Sequence, residues 1–108
     1  MPNQSEIVSQ VFYALTDQTR RAVIVRLSSK PATVSDLARP FAMSLPSFTQ
    51  HLGVLEKCGI VKSHKKGRVR TYRLVPERLA EAEDWLMTQR RLWEKRLDQL
   101  DDYLKESE

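Results

Sequence analysis

Apolar residues recur at helical spacing from the start of the chain. Ile7, Val8, Val11, Phe12, Ala14 and Leu15 predict a first helix over about 5–15, with Ser5 as its capping candidate. Asp17 is the next N-cap candidate. It precedes a run with Ala22, Val23, Ile24 and Leu27, while Arg20, Arg21 and Arg26 fall mostly on other faces. Pro31 closes that helix. Thr33-Val34-Ser35-Asp36 has the layout of a capping box, with Asp in place of the usual Glu or Gln, and opens a short helix that ends at Pro40. Ser44 is a good N-cap for the next helix, and Pro46 lies in its first turn, where a missing N–H costs nothing. Phe48, Leu52 and Leu55 follow at i, i+4 and i+7 as its buried stripe, and Gly59 stands where a left-handed residue ends it.

The period then changes. Ile60–His64 and Val69–Leu74 alternate and are partly β-branched or aromatic, so they read as strands, with Lys65-Lys66-Gly67-Arg68 as the turn. From Pro76 the pattern is helical again, nearly to the end. Leu79, Ala82, Leu86, Trp93, Leu97, Leu100 and Leu104 form one long apolar stripe flanked by Trp85. The order is four helices, a hairpin and a long helix. Two short helices joined by a tight connection and followed by a basic hairpin make a winged helix-turn-helix, a mainly α fold with a two-stranded β wing.

The helix over 44–58 has two usable faces. Leu45, Phe48, Leu52 and Leu55 anchor it, and Pro46, Ser47, Thr49, Gln50 and Gly53 face the other way. Small and polar groups of this kind reach base edges in the major groove: the Gln50 amide can pair with adenine, and Ser47 and Thr49 can bond to a base or a phosphate. The helix N-terminus at Ser44 can itself accept a phosphate. No acidic residue occurs between Asp36 and Glu56, so nothing on this face repels a polyanion.

Charge sharpens that picture. Residues 57–75 hold Lys57, Lys62, Lys65, Lys66, Arg68, Arg70 and Arg73 and no carboxylate, whereas acidic residues outnumber basic ones in 76–108. The net charge of +4 therefore reflects one short stretch. Lys66, Arg68 and Arg70 around Gly67 form a basic hairpin tip suited to an adjacent minor groove or to the backbone. Double-stranded DNA is the implied partner.

The chain of 108 residues fits a single domain over 1–108, with the helix-turn-helix at 33–59 and the wing at 60–74. No apolar run approaches the roughly 18 residues of a membrane span, and the first residues lack a signal-peptide pattern, so a cytoplasmic location is expected. One cysteine, Cys58, excludes an intrachain disulfide and any CxxC metal motif, and reads as a packing residue or, in a narrower alternative, as a redox switch. No catalytic set, glycine-rich phosphate loop or paired carboxylates appear, so an enzyme is not expected, and neither is a cofactor. The long last helix, about 45 Å at 1.5 Å per residue, outruns so small a domain, and a symmetric dimer would cover its stripe. The other reading is a winged-helix protein-interaction module that does not bind DNA.

Three stretches, FYALTDQTRRAVIVRL (12–27), TVSDLARPFAMSLPSFTQHLGVLEKCGIV (33–61) and KKGRVRTYRL (65–74), resemble the ArsR/SmtB group of winged-helix repressors, and AEAEDWLMTQRRLWEKRLDQLDDYL (80–104) resembles a common branch of it. The resemblance covers almost the whole chain. It implies a homodimer built from the first and last helices (1–15 and 76–108), with Val8, Val11, Phe12, Leu86, Trp93, Leu97 and Leu100 as interface candidates. It implies a recognition helix carrying Ser47, Thr49, Gln50 and His51, and repression of a nearby operon released by an inducer. Metal-sensing members carry a Cys-rich motif before the recognition helix or His/Asp/Glu clusters in the last helix. Here the early helix reads VSDLARP and the last helix has no His, so no metal is expected. The signal would be a small organic effector, a redox change, or expression level alone.

Overall fold

Asn3, not Ser5, opens the first helix: its Oδ1 accepts the Glu6 amide at 2.8 Å, and Ser5 already lies inside the first turn. In this computed structural model, which describes residues 3–107, α1 spans Gln4–Leu15. Asp17 caps α2 (Gln18–Leu27) through the Arg20 amide at 3.0 Å. This helix stops short of Pro31, because Ser28 becomes its C-cap and turns its hydroxyl back onto the Ile24 carbonyl at 2.9 Å. Thr33 caps α3 (Val34–Ala38), the Asp36 amide donating to the Thr33 hydroxyl, but the box is not closed: the Asp36 carboxylate accepts from Arg39 instead. Ser44 caps α4 (Leu45–Lys57).

Gly59, at φ 78°, ends α4 in a Schellman motif. The Gly59 amide donates to the Glu56 carbonyl and the Ile60 amide to the Leu55 carbonyl, each at 3.0 Å. That turn aims the chain into the sheet. The wing is three-stranded rather than two-stranded. A short strand, β1 (Ala32–Thr33), pairs antiparallel with β3 (Val69–Leu74), which pairs antiparallel with β2 (Val61–Lys66), in the order β1-β3-β2. β1 is only Ala32 and the helix cap Thr33, too short to show a period, so the sequence pattern is blind to it. The β2–β3 turn is only Gly67-Arg68, because Lys66 already pairs with Val69. Gly67 has φ 63° and no non-glycine residue described has positive φ, the pattern of a type II′ turn.

The core lies between α1, α2, α3, α4 and the inner face of the sheet. Phe48, Leu52 and Leu55 of α4 are fully buried there, with Leu37, Ile60 and Val61 around them. Leu45 departs from the expected apolar face: as the first residue of α4 it precedes the packed turns and is 56% exposed. Ala22 is likewise exposed, and the buried residues of α2 are Arg20, Val23 and Leu27.

The last helix, α5 (Pro76–Glu106), packs on α1 only through its first turns. Ala82 is buried, Leu79 is half-buried, and the Trp85 ring meets Phe12 edge-on at 5.7 Å. Two interface expectations change as a result. Val8 and Val11 are buried within the chain itself, so Val11 has no surface, and Val8 very little, left to give a partner. Beyond Gln89 every described residue of the helix is exposed, and it projects from the domain. The radius of gyration is 19.2 Å and the longest extent 71 Å, against roughly 13 Å for the radius of a compact chain of this length. No helix among the described residues is long and apolar enough to cross a membrane.

Candidate nucleic-acid interface

α4 stands on its buried stripe and turns Pro46, Ser47, Thr49, Gln50 and Gly53 to solvent. The stripe fixes which way these residues point, since rotation of the helix would pull Phe48 or Leu52 out of the core. The Ser44 hydroxyl accepts the Ser47 amide at 3.3 Å and donates to the Ser47 hydroxyl at 2.9 Å. Thr49 donates its hydroxyl proton to the Pro46 carbonyl at 3.0 Å. Their hydroxyls are thus held in place with acceptor lone pairs still open, while the Gln50 amide makes no side-chain hydrogen bond among the described residues. The helix N-terminus is a poorer anion site than the sequence suggests. Pro46 has no N–H and Ser47 has spent its own, which leaves the Leu45 amide and the helix dipole.

Lys66 and Arg68 sit at the closing pair and turn of the hairpin, both exposed. Arg70, expected with them at the tip, lies one pair further in, opposite Lys65. Its guanidinium donates to the Ser63 hydroxyl at 2.8 Å, which in turn donates to Glu56 at 2.5 Å. Glu56 is the one carboxylate of α4. The chain Arg70–Ser63–Glu56 therefore ties the wing to the recognition helix and neutralises the only acid there.

His51 is half-buried beside the exposed face. Its Nδ1 lies 3.2 Å from the Arg20 guanidinium and 3.6 Å from the Asp17 carboxylate. Arg20 is the site residue that sequence reasoning missed. Only 7% exposed, it donates to the Ala14 carbonyl at 2.8 Å and the Tyr13 carbonyl at 3.2 Å, and stacks on the Tyr13 ring. The clue was present, since Arg20, Val23 and Leu27 share one face at i, i+3 and i+7. The Asp17 carboxyl is held below its ordinary value, mainly by its hydrogen bond from the Arg20 amide. Burial raises the Cys58 pKa, which makes this thiol a weak nucleophile near neutral pH. Among the described residues no group of three His, Cys, Asp or Glu side chains is placed to hold a metal ion.

A recognition helix on a helical core, a short helix before it and a basic wing after it define a winged helix-turn-helix protein. A family model described as a helix-turn-helix domain matches residues 15–64. The transcriptional repressor SdpR of Bacillus subtilis is 31% identical over 80 residues, which cover 74% of this chain and 89% of that protein. The crystal structure of an ArsR family transcriptional regulator, RHA00566, matches with a TM-score of 0.81 and 50% identity over 87% of this chain and 97% of that one. The homodimeric winged helix-turn-helix DNA-binding domain Mb0332 of Mycobacterium bovis shares the fold at a TM-score of 0.63 and 22% identity, over 82% and 83% of the two chains. The chain belongs to the ArsR family and is a DNA-binding transcriptional regulator; the reading as a protein-interaction module is set aside.

Proposed function

We propose that this regulator is a homodimeric repressor that binds an inverted-repeat operator. Each protomer lays α4 in the major groove, with Ser47, Thr49, Gln50 and His51 toward base edges and Ser44 and Pro46 at the backbone. Lys66 and Arg68 meet phosphates or the adjacent minor groove, and Arg70 sets the angle of the wing. The carrying observation is the polar face of α4, fixed by a buried stripe and flanked by a basic hairpin, with its one carboxylate, Glu56, tied through Ser63 to Arg70. Dimerisation would use the exposed face of α5, with Leu86, Trp93, Leu97 and Leu100, together with the edge of Phe12. SdpR is named a repressor and Mb0332 a homodimer, which supports both parts of the reading.

Selection of bound sites from random duplex DNA at two salt concentrations tests it. The expected result is an enriched inverted repeat with half-sites about one helical turn apart, and affinity that falls steeply with salt. Enrichment of isolated half-sites would overturn the dimeric part. Weak binding indifferent to sequence would overturn the operator.

A further inference from the structure

We propose that Arg20 fixes the hydrogen-bonding polarity of His51, holding its ring in the Nε2–H tautomer so that the recognition helix offers DNA a donor at this position. The inference rests on the reading above, that α4 faces the major groove. A guanidinium has five N–H donors and no acceptor. Arg20 Nη1 lies 3.2 Å from His51 Nδ1, so that nitrogen must present its lone pair, and a neutral ring then carries its proton on Nε2. The rest of the guanidinium cannot swing away. Nε donates to the Ala14 carbonyl at 2.8 Å, and Nη2 donates to the Tyr13 carbonyl at 3.2 Å and the Thr16 hydroxyl at 3.5 Å.

One group competes for the opposite tautomer. Asp17 Oδ2 lies 3.6 Å from the same Nδ1 and would accept a proton there. That separation exceeds hydrogen-bond length, and the oxygen already accepts the Arg20 amide at 3.0 Å. A proton on Nδ1 would also face the Arg20 N–H at 3.2 Å, donor against donor. The geometry therefore favours Nδ1 as acceptor.

The consequence reaches DNA. His51 follows Gln50 on α4, and its side chain keeps 23% of its surface exposed. With Nδ1 engaged inside, the ring has Nε2–H left to give. A donor pairs with guanine O6 or N7, adenine N7, thymine O4 or a phosphate oxygen, and not with the amino groups of cytosine or adenine. Gln50 carries both a donor and an acceptor, so the two neighbouring residues differ in what they can discriminate. Arg20 touches no DNA in this scheme and is a positioning residue.

The test is ¹⁵N NMR of the histidine-labelled full chain, free and on the selected operator, with His64→Gln to assign the two histidines. The inference expects an unprotonated Nδ1 and a protonated Nε2 for His51 in both states. Arg20→Gln, in protein whose dispersed amide spectrum shows it folded, should give a mixture of tautomers, while Asp17→Asn should leave the tautomer unchanged. A proton on Nδ1 in the wild type, or a switch on Asp17→Asn, overturns the inference even where DNA binding is intact. On DNA, His51→Ala should cost about tenfold in affinity. Loss of preference at one base pair would identify a base-edge acceptor. A uniform loss across sequences, reproduced by one neutral methylphosphonate in the duplex, would identify a phosphate. Unchanged affinity and preference in His51→Ala overturns the donor role. Failure of the wild type to select any site, with the tautomer as stated, overturns the operator reading instead.

Discussion

Two helices of this chain carry apolar residues at helical spacing, and they end in opposite environments. In α4, Phe48, Leu52 and Leu55 are fully buried. In α5, Leu86, Trp93, Leu97 and Leu100 keep between 51% and 62% of their surface in water. The difference lies in their neighbours rather than in their sequences. α4 is enclosed by α2, α3 and β2, whereas α5 packs mainly on α1, and every described residue of it beyond Gln89 is exposed. An apolar stripe therefore states that a face is to be buried, and says nothing of which chain will bury it. For α5 the remaining surface is a continuous apolar band of the sort that monomers rarely leave open.

The strongest way to break this comparison is to make the α5 stripe polar. Trp93→Asp combined with Leu97→Asp should turn the proposed dimer into a monomer by sedimentation equilibrium, with the amide fingerprint of residues 18–74 unchanged. Affinity for an inverted repeat should fall by on the order of a hundredfold or more, because two linked half-sites lose their avidity. A variant that still sediments as a dimer would remove α5 as the seam.

The same substitution type sharpens the contrast when it is conservative. Leu52→Ala in α4 should cost about 3 kcal/mol, as a large-to-small change in a packed core. In the proposed dimer part of that cost is read at any protein concentration, because the core belongs to one chain. Leu97→Ala should instead destabilise most at high protein concentration, where the wild type is dimeric, and little at low concentration, where both proteins are monomers. Urea denaturation of both variants across a hundredfold range of concentration checks this. Equal concentration dependence of the two mutational losses would make the distinction between the helices false.

Much of the core half was legible because its signals are local. Asp17, Thr33 and Ser44 bond to amides three residues on, and Gly59 needs only its own φ. Phe48, Leu52 and Leu55 were readable from spacing alone. What failed was the part that depends on tertiary neighbours. Val8 and Val11 sit on a helical stripe whether the partner is α5 of the same chain or another copy, and only the fold decides. Leu45 continues the pattern of α4 but lies a turn before the packed region. Arg20 is expected on another face with Arg21 and Arg26, yet it is buried beside Val23 and Leu27, because a buried guanidinium needs acceptors that periodicity cannot supply. Of the interface candidates, Ser47, Thr49 and Gln50 were readable as a face, while the Arg70–Ser63–Glu56 chain needed the register of the strands.

The start of α5 also approaches the turn that ends α4, and this gives a smaller test. Arg78 of α5 lies over Gly59, the stop of α4, where an added Cβ would stand 2.7 Å from Arg78 Nε. Gly59→Ala should cost about 1–2 kcal/mol for a side chain in the left-handed region. The Arg78 side chain is flexible and can withdraw, so the backbone term dominates. Gly59→Ala with Arg78→Ala should recover little of the loss in thermal denaturation. Full recovery would mean that the contact between the helices, and not the turn, makes glycine necessary.

The smallest effect is confined to the core half and is read by pH. Asp17 caps α2 through the Arg20 amide, and its carboxyl is held below the ordinary value of 3.8, first by that hydrogen bond, against a smaller opposing effect of burial. The folded protein thus binds this proton less readily than the unfolded chain. The cap's ionic contribution is complete above pH 3.8 and fades as pH falls through the lowered folded value. Asp17→Ala should cost about 1 kcal/mol at neutral pH, the usual worth of an N-cap. The gap between the variant and the wild type should narrow as acid is added below pH 3.8, without closing, because a protonated carboxyl can still accept the Arg20 amide. Chemical denaturation midpoints at neutral pH and at about pH 3 measure both. A gap that stays constant with pH would mean that Asp17 acts through its shape and not its charge. The self-association of α5 should be the same in Asp17→Ala as in the wild type at neutral pH, because Asp17 lies at the start of α2 and not on the exposed stripe.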